Sequence, residues 1–201
     1  MKPYIDFLIT PIGGRYNNIK AVGEKQLIIN TEISNFKTIN RKGLVLQHPS
    51  NRNTEIKKGD EVIVHHNVFR RWHNMHGEEK NSRSYLSENQ YLVSEDQIFL
   101  YKRNGNWKAL NGYCFVQPIK SKNELSLDKE KPLVGIIKFV DEKLAKQDIK
   151  VGDLVGFSPN DEYEFLLEGK KMYRIMSKFI TIKYEYQGDE EEYNPSWAQS
   201  S

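Results

Sequence analysis

The feature that most constrains this chain is that it repeats itself. Residues 56–64 read IKKGDEVIV and residues 149–157 read IKVGDLVGF, with Ile, Lys, Gly, Asp and Val at matching places. Gly-Asp ahead of an apolar alternation is common turn chemistry, because glycine takes positive φ without cost and aspartate bonds nearby backbone. Alone it constrains little. Three more pairs follow the same order, however: FLITPI at 7–12 with CFVQPI at 114–119, GLVL at 43–46 with GIIK at 135–138, and YLVSEDQIFLYK at 91–102 with YRIMSKFITIKY at 173–184. Order kept over four segments predicts a duplication, since a fixed internal period is the mark of repeated structural units. The expected organisation is one copy at 1–105, a second at 106–187, and an acidic, polar tail at 188–201. Spacing between the pairs is uneven, so the copies differ in loop length. The first has the longer loops, at 13–42 and 69–88, and long loops often carry function.

Within each copy the short apolar runs are punctuated by Gly and Pro, and no helical periodicity is sustained. Only Glu142 to Lys146 reads as a helical turn. Val62 and Val64, and Leu154 or Val155 with Phe157, fall into strands, and Pro11 and Pro118 are predicted to close theirs because proline cannot donate to a ladder. The fold class is therefore all-β, as a sandwich or barrel. A hydrophobic share of 38% with 28% charged residues is lean for two cores, but eleven Tyr, nine Phe and three Trp supply large buried areas. Two domains of about 100 residues bury modest surface each, which makes dependence on a neighbour or on oligomerisation natural.

The charge balance and the reactive residues point away from several function classes. A net charge of +3 from 30 basic and 27 acidic residues gives no broad field for a polyphosphate, so no nucleic-acid partner is expected. Arg70-Arg71-Trp72, the one basic cluster, reads as a solvated turn. Cys114 is alone, excludes an intramolecular disulfide, and sits in an apolar run as a buried thiol. The N-terminus carries no apolar signal core, and no stretch reaches a membrane span, so a cytoplasmic protein is expected. His65, His66, His73 and His76 fall in one segment, HHNVFRRWHNMH, but adjacent histidines on a strand face opposite sides and no zinc spacing is present. No metal is expected there. Gly13-Gly14 lacks the Lys-Ser/Thr of a phosphate loop, and no nucleophile elbow is present. The chain reads as a binding protein without catalytic residues or a cofactor.

Val151-Gly152-Asp153 followed by a strand, a hairpin and Ile175-Met176-Ser177 leading into a last strand resembles the GroES-type co-chaperonins. The resemblance covers both copies, about 5–104 and 110–186. It implies two tandem GroES-like partly open β-barrels in a homo-oligomer that caps or modulates an ATP-dependent chaperonin during protein folding. The ATP would be bound by the partner ring. Family members dock through an apolar tripeptide on a mobile loop between the first two strands; here that loop is 13–42 and the tripeptide is Leu27-Ile28-Ile29. Glu24-Lys25-Gln26 stand where the family has small residues, and QLIINTEIS also reads as a β-strand packed on the barrel. The second copy's loop is shorter and has no apolar triplet, only Leu125 and Leu127. The insertion at 69–88 falls where the family has its roof hairpin, and Phe69, Trp72 and Met75 are candidates there for contacts between subunits. A two-domain chain cannot give a ring with an odd number of domains. An assembly or structural component that keeps the barrel without capping is the alternative. The Asn- and Lys-rich composition suits an AT-rich genome such as those of bacterial viruses, which encode such proteins; the compartment would then be the host cytoplasm.

Overall fold

The computed structural model describes residues 2–16, 19–22, 25–28, 39–122, 129–159, 162–185 and 188–199. The chain divides into two compact units, Met1–Trp107 and Lys108–Ser201. In the first, the strands are β1 (Phe7–Pro11), β2 (Ile19–Val22), β3 (Lys25–Ile28), β4 (Lys42–Gln47), β5 (Glu61–Val64), β6 (Arg71–His73), β7 (Glu79–Asn81), β8 (Tyr85–Ser87), β9 (Gln90–Val93) and β10 (Ile98–Arg103). Strand β11 (Asn106–Ala109) spans the boundary. The second unit holds β12 (Tyr113–Lys120), β13 (Glu130–Phe139), the short helix α1 (Glu142–Ala145), β14 (Leu154–Phe157), β15 (Tyr163–Leu167), β16 (Lys170–Met176), β17 (Ile180–Tyr184) and α2 (Ser196–Gln199). The fold is all-β.

Each unit is built on one antiparallel sheet. The first has the order β11-β10-β5-β4-β1-β9-β8 and the second β15-β16-β12-β13-β14-β17. Without β11, and read from its other end, the first sheet becomes β8-β9-β1-β4-β5-β10, which is the second sheet strand for strand. Register agrees as well. Ile9 faces Val45 and Pro11 faces Gly43, while Val116 faces Ile137 and Pro118 faces Gly135. Tyr91 opposite Ile9 matches Tyr173 opposite Val116, and Val62 opposite Tyr101 matches Val155 opposite Lys183. Irregularities recur too, between Leu8 and Ile9 as between Phe115 and Val116. Both sheets run from edge to edge and neither closes into a barrel.

The two Lys-x-Gly-Asp turns share one geometry. Gly59 and Gly152 sit at φ +91 and +97, a backbone that side-chain-bearing residues adopt only with strain. Gly59 N–H donates to Val45 O at 2.8 Å and Gly152 N–H to Ile137 O at 2.9 Å. The aspartate carboxylates then accept from the backbone three residues earlier, Lys57 N–H to Asp60 and Lys150 N–H to Asp153, both at 2.8 Å. Each carboxylate also meets a cation from the closing strand. Arg103 Nε reaches Asp60 at 3.0 Å, and Lys183 Nζ reaches Asp153 at 2.9 Å. The same carboxylate is thus neutralised from different sequence positions. Asp153 is held below the usual carboxylate range: burial works against this, but the Lys150 backbone and the Lys183 ammonium outweigh it.

The central strands are buried on both faces, as over Leu154–Phe157, and successive residues join different clusters. In the second unit Cys114, Val116, Ile137, Val155, Phe157 and Ile175 form the main core with Leu144 of α1. Ile119, Val134, Ile136 and Leu154 form a smaller cluster. Neighbours such as Ile136 and Ile137 thereby fall into different clusters, as a pleated strand requires. The first unit buries Phe7, Ile9, Val45, Ile56, Val62, Val64, Phe69, Tyr91 and Val93. Burial of each such side chain contributes about 1.5–3 kcal/mol against the entropy of ordering it.

One local expectation is corrected. Pro11 ends β1, but Pro118 lies inside β12, which runs on to Lys120. Pairing with β16 stops at Val116, so the missing N–H of Pro118 takes nothing from that ladder. The tail supplies the partner beyond that point. Tyr193 N–H donates to Pro118 O and Lys120 N–H to Glu191 O, both at 2.8 Å. Glu191 and Glu192 pair with Lys120 and Lys138. Asn194 accepts from Lys171 N–H at 3.0 Å and donates to Gly169 O at 2.9 Å, and Ala198 is fully buried. The acidic run is therefore a docked strap on the second unit.

Candidate functional site

Both long loops of the first copy leave its sheet through built necks. The 13–42 loop exits after β1 and returns at β4. At its base Tyr16 bridges Ile39, Asn40 N–H donates to Arg15 O at 2.9 Å, and the buried Asn40 amide donates to Ile12 O and Gly14 O, each at 2.6 Å. Asn40 Oδ1 in turn accepts from Lys42 N–H at 2.9 Å. One side chain thus satisfies three backbone groups at the point where the loop departs. Beyond the neck, β2 and β3 pair as a two-stranded sheet apart from the main one. Leu27 stands opposite Lys20 and Ile28 opposite Ile19.

Of the three expected docking residues, Leu27 is 52% exposed, Ile28 is the last residue of β3, and Ile29 lies outside the described residues. Strand β3 covers the start of QLIINTEIS and its ladder partner is β2; the remainder of that segment lies outside the described residues. The loop is not a featureless chain where it is described.

The 69–88 insertion carries a second small sheet, β6 with β7, registered Arg71 to Asn81, Trp72 to Lys80 and His73 to Glu79. Its tip is a turn organised by Asn74, whose N–H donates to Glu78 O at 2.9 Å while its side-chain oxygen accepts from the N–H groups of His76 and Glu78. Its base is tied to the neck of the other loop. Arg15 donates to Phe69 O at 3.1 Å and to Asn81 Oδ1 at 2.8 Å, and Arg71 N–H donates to the Tyr16 hydroxyl at 2.8 Å. Arg15 also lies over the rings of Tyr85 and Tyr91, and Arg71 over Tyr16. The two loops are therefore anchored on one set of arginine and tyrosine side chains.

Phe69, Trp72 and Met75 have different placements. Phe69 is fully buried and packs edge-on against Tyr91 with centroids 4.8 Å apart, so it belongs to the core and offers no surface to a neighbour. Its apolar character was legible in the sequence; its direction was not. Trp72 is 36% exposed and Met75 98% exposed. The rings of His65 and His66 lie 4.3 Å apart and tilted by 30° just after β5, whereas His73 and His76 lie on the β6–β7 hairpin. No group of three or more His, Cys, Asp or Glu is placed to hold a metal among the described residues. Burial, then the nearby His65, Arg41 and Arg70, pull the His66 pKa down to about 4. Cys114 is buried, with its thiol 3.5 Å from Ile175 O. Among the described residues no helix is long and apolar enough to cross a membrane. Compared with models of protein families and with curated proteins, the chain matches none.

Proposed function

We propose that the protein is a co-chaperonin-like binding protein, made of two tandem GroES-like partly open barrels, that caps or modulates an ATP-dependent chaperonin. The observation that carries this reading is the exposed Leu27 on a hairpin inserted between β1 and β4, where the resemblance puts the docking loop. The apolar contact would be Leu27, Ile28 and Ile29. A partly paired hairpin loses less freedom on docking than an unstructured loop, so less of the interaction energy goes to ordering it. The shared strand order of the two sheets supports a duplicated barrel, and loop length then assigns the contact to the first copy. ATP would stay with the partner, and the chain would act as a homo-oligomer in the cytoplasm without catalysis of its own.

The experiment is binding of the full chain to its chaperonin with and without ATP, against a variant combining Leu27→Ser, Ile28→Ser and Ile29→Ser. ATP-dependent binding lost in the variant is the expected result. A folded wild-type chain that does not bind the chaperonin of its own cell would overturn it. The pairing of β3 with β2 favours one alternative, an assembly component in which this hairpin is permanent structure. Amide exchange separates the two: β3 amides protected in the free protein to the level of β4 support the assembly role.

A further inference from the structure

The base of the β6–β7 insertion holds a pocket that neither the repeat nor the docking reading uses. It is an open groove of about 540 Å³ lined by Asn67, Arg70, Trp72, Ser82, Arg83, Ser84 and Gln97. That volume is within the range of small-molecule sites, ~300–1,000 Å³. The second unit has no counterpart to this insertion among the described residues, since β14 leads into β15 with no intervening strands.

The chemistry of the lining is one-sided. It contains two guanidinium groups, two amides, two hydroxyls and an indole, and no carboxylate. Neither Arg70 nor Arg83 has an ion-pair partner among the described residues. Arg70 Nε is shielded from solvent and donates to nothing there, although a buried donor without an acceptor costs free energy. The hydroxyl protons of the lining are spent within the protein, and the Gln97 amide keeps its donors. Ser82 Oγ donates to Val68 O at 2.6 Å, and the hydroxyls of Ser84 and Ser94 turn to the side-chain oxygen of Gln97 at 3.4 Å, leaving its NH₂ group to donate. A carboxylate has two oxygens to offer; two guanidiniums and two amides call for the three oxygens of a phosphate. Trp72, held on β6, supplies a flat apolar wall for a ring.

We propose that this pocket binds an aromatic phosphomonoester, with Arg70 and Arg83 on the phosphate and Trp72 against the ring. A nucleoside monophosphate and an aryl phosphate share this chemistry.

The test is titration of the full chain with adenosine 5′-monophosphate, phenyl phosphate, adenosine and inorganic phosphate, read by calorimetry and by Trp72 emission against a Trp107→Phe, Trp197→Phe background. The expected result is saturable binding of at least one of the two phosphate esters, with adenosine and inorganic phosphate each weaker by about tenfold or more. A preference for adenosine monophosphate over phenyl phosphate assigns the nucleotide, and the reverse assigns the aryl group. Arg83→Gln, which changes an exposed side chain and leaves the fold intact, should weaken binding by about tenfold and reduce its salt dependence. No binding of either ester at millimolar concentration, or binding unchanged in Arg83→Gln, would overturn the assignment. Neither outcome depends on whether the chain docks on a chaperonin.

Discussion

Tyr91 and Tyr173 occupy the same register position in the two sheets, and removal of their hydroxyls should have opposite effects. Tyr91 is fully buried between Phe69 and Tyr85, under the Arg15 guanidinium, and its hydroxyl has no partner among the described residues. Burial raises its pKa, so the phenol is neutral and its desolvation is uncompensated. A buried hydroxyl without a partner costs ~1–3 kcal/mol. Tyr91→Phe keeps the ring, its edge-on contacts and the cation above it. Set against the small void left by one oxygen, it should stabilise the first unit by ~0.5–1.5 kcal/mol.

Tyr173 instead donates to Glu130 Oε1 at 2.5 Å, beside Lys171, whose ammonium is 2.9 Å from the other carboxylate oxygen. Its pKa is pushed up to about 12, first by burial and then by the Glu130 bond, with Lys171 opposing. Tyr173→Phe removes a hydrogen bond to a charged group and should cost ~1–2 kcal/mol. Urea unfolding of the full chain is the assay. Trp72 and Trp107 report on the first unit and Trp197 on the second. Each variant should move its own reporter's midpoint, Tyr91→Phe upward and Tyr173→Phe downward, and the double variant should show the sum. A Tyr91→Phe chain destabilised by more than ~1 kcal/mol would refute the reasoning, because an unpaired hydroxyl cannot contribute that much.

Other consequences are shorter. A Cβ on Gly135 would stand 2.5 Å from Gln117 O and from Val116 Cγ1, whereas on Gly43 it meets the Ile9 methyl at 2.5 Å but backbone only at 3.3 Å. Both alanine variants should destabilise by ~1–3 kcal/mol, and Gly135→Ala more, since a carbonyl oxygen cannot rotate away. Thermal unfolding of the pair decides it; equal shifts would discard the distinction. His66 is held neutral in the fold, with a pKa of about 4 against 6.5 for the free side chain. The unfolded chain therefore takes up the proton first, so stability is full above pH 6.5 and falls as pH drops towards 4. Allowing for partial exposure the loss is on the order of 1–2 kcal/mol, and His66→Asn should flatten it. An unchanged pH profile in the variant would show that other groups set the slope.

Much of the fold was legible because turn chemistry is local. Gly59-Asp60 and Gly152-Asp153 announce themselves, and the segments around them keep their order. Strand pairing follows from that order once the duplication is seen. What could not be read depends on partners distant in sequence. Pro118 tolerates a strand because β16 has already left its side, and the tail docks because Pro118 O and Asn194 find each other across the chain. Phe69 and Trp72 look alike in sequence, yet one is core and one is pocket wall, a choice made by Tyr91 and the Arg15 anchor. In the pocket, Arg70 was visible within Arg70-Arg71-Trp72, but Arg83 and Gln97 carry no local signal. Only the fold assembles them.

The matched registers of the two sheets also bear on how the chain reaches its native state. While both copies are still being made, β12 meets in β4 the same spacing of partners that it will find in β13, and β1 meets the same in β13. Such crossed ladders satisfy the backbone, so only side chains penalise them, and they are the characteristic traps of repeat proteins. The copies differ where the penalty would fall. Ile9 faces Val45 where Val116 faces Ile137. A crossed sheet would pair Val45 with Val116 and Ile9 with Ile137, and so misfit its core volumes. Back-mutations that make the two copies more alike at these positions should therefore refold more slowly, with little change in final stability.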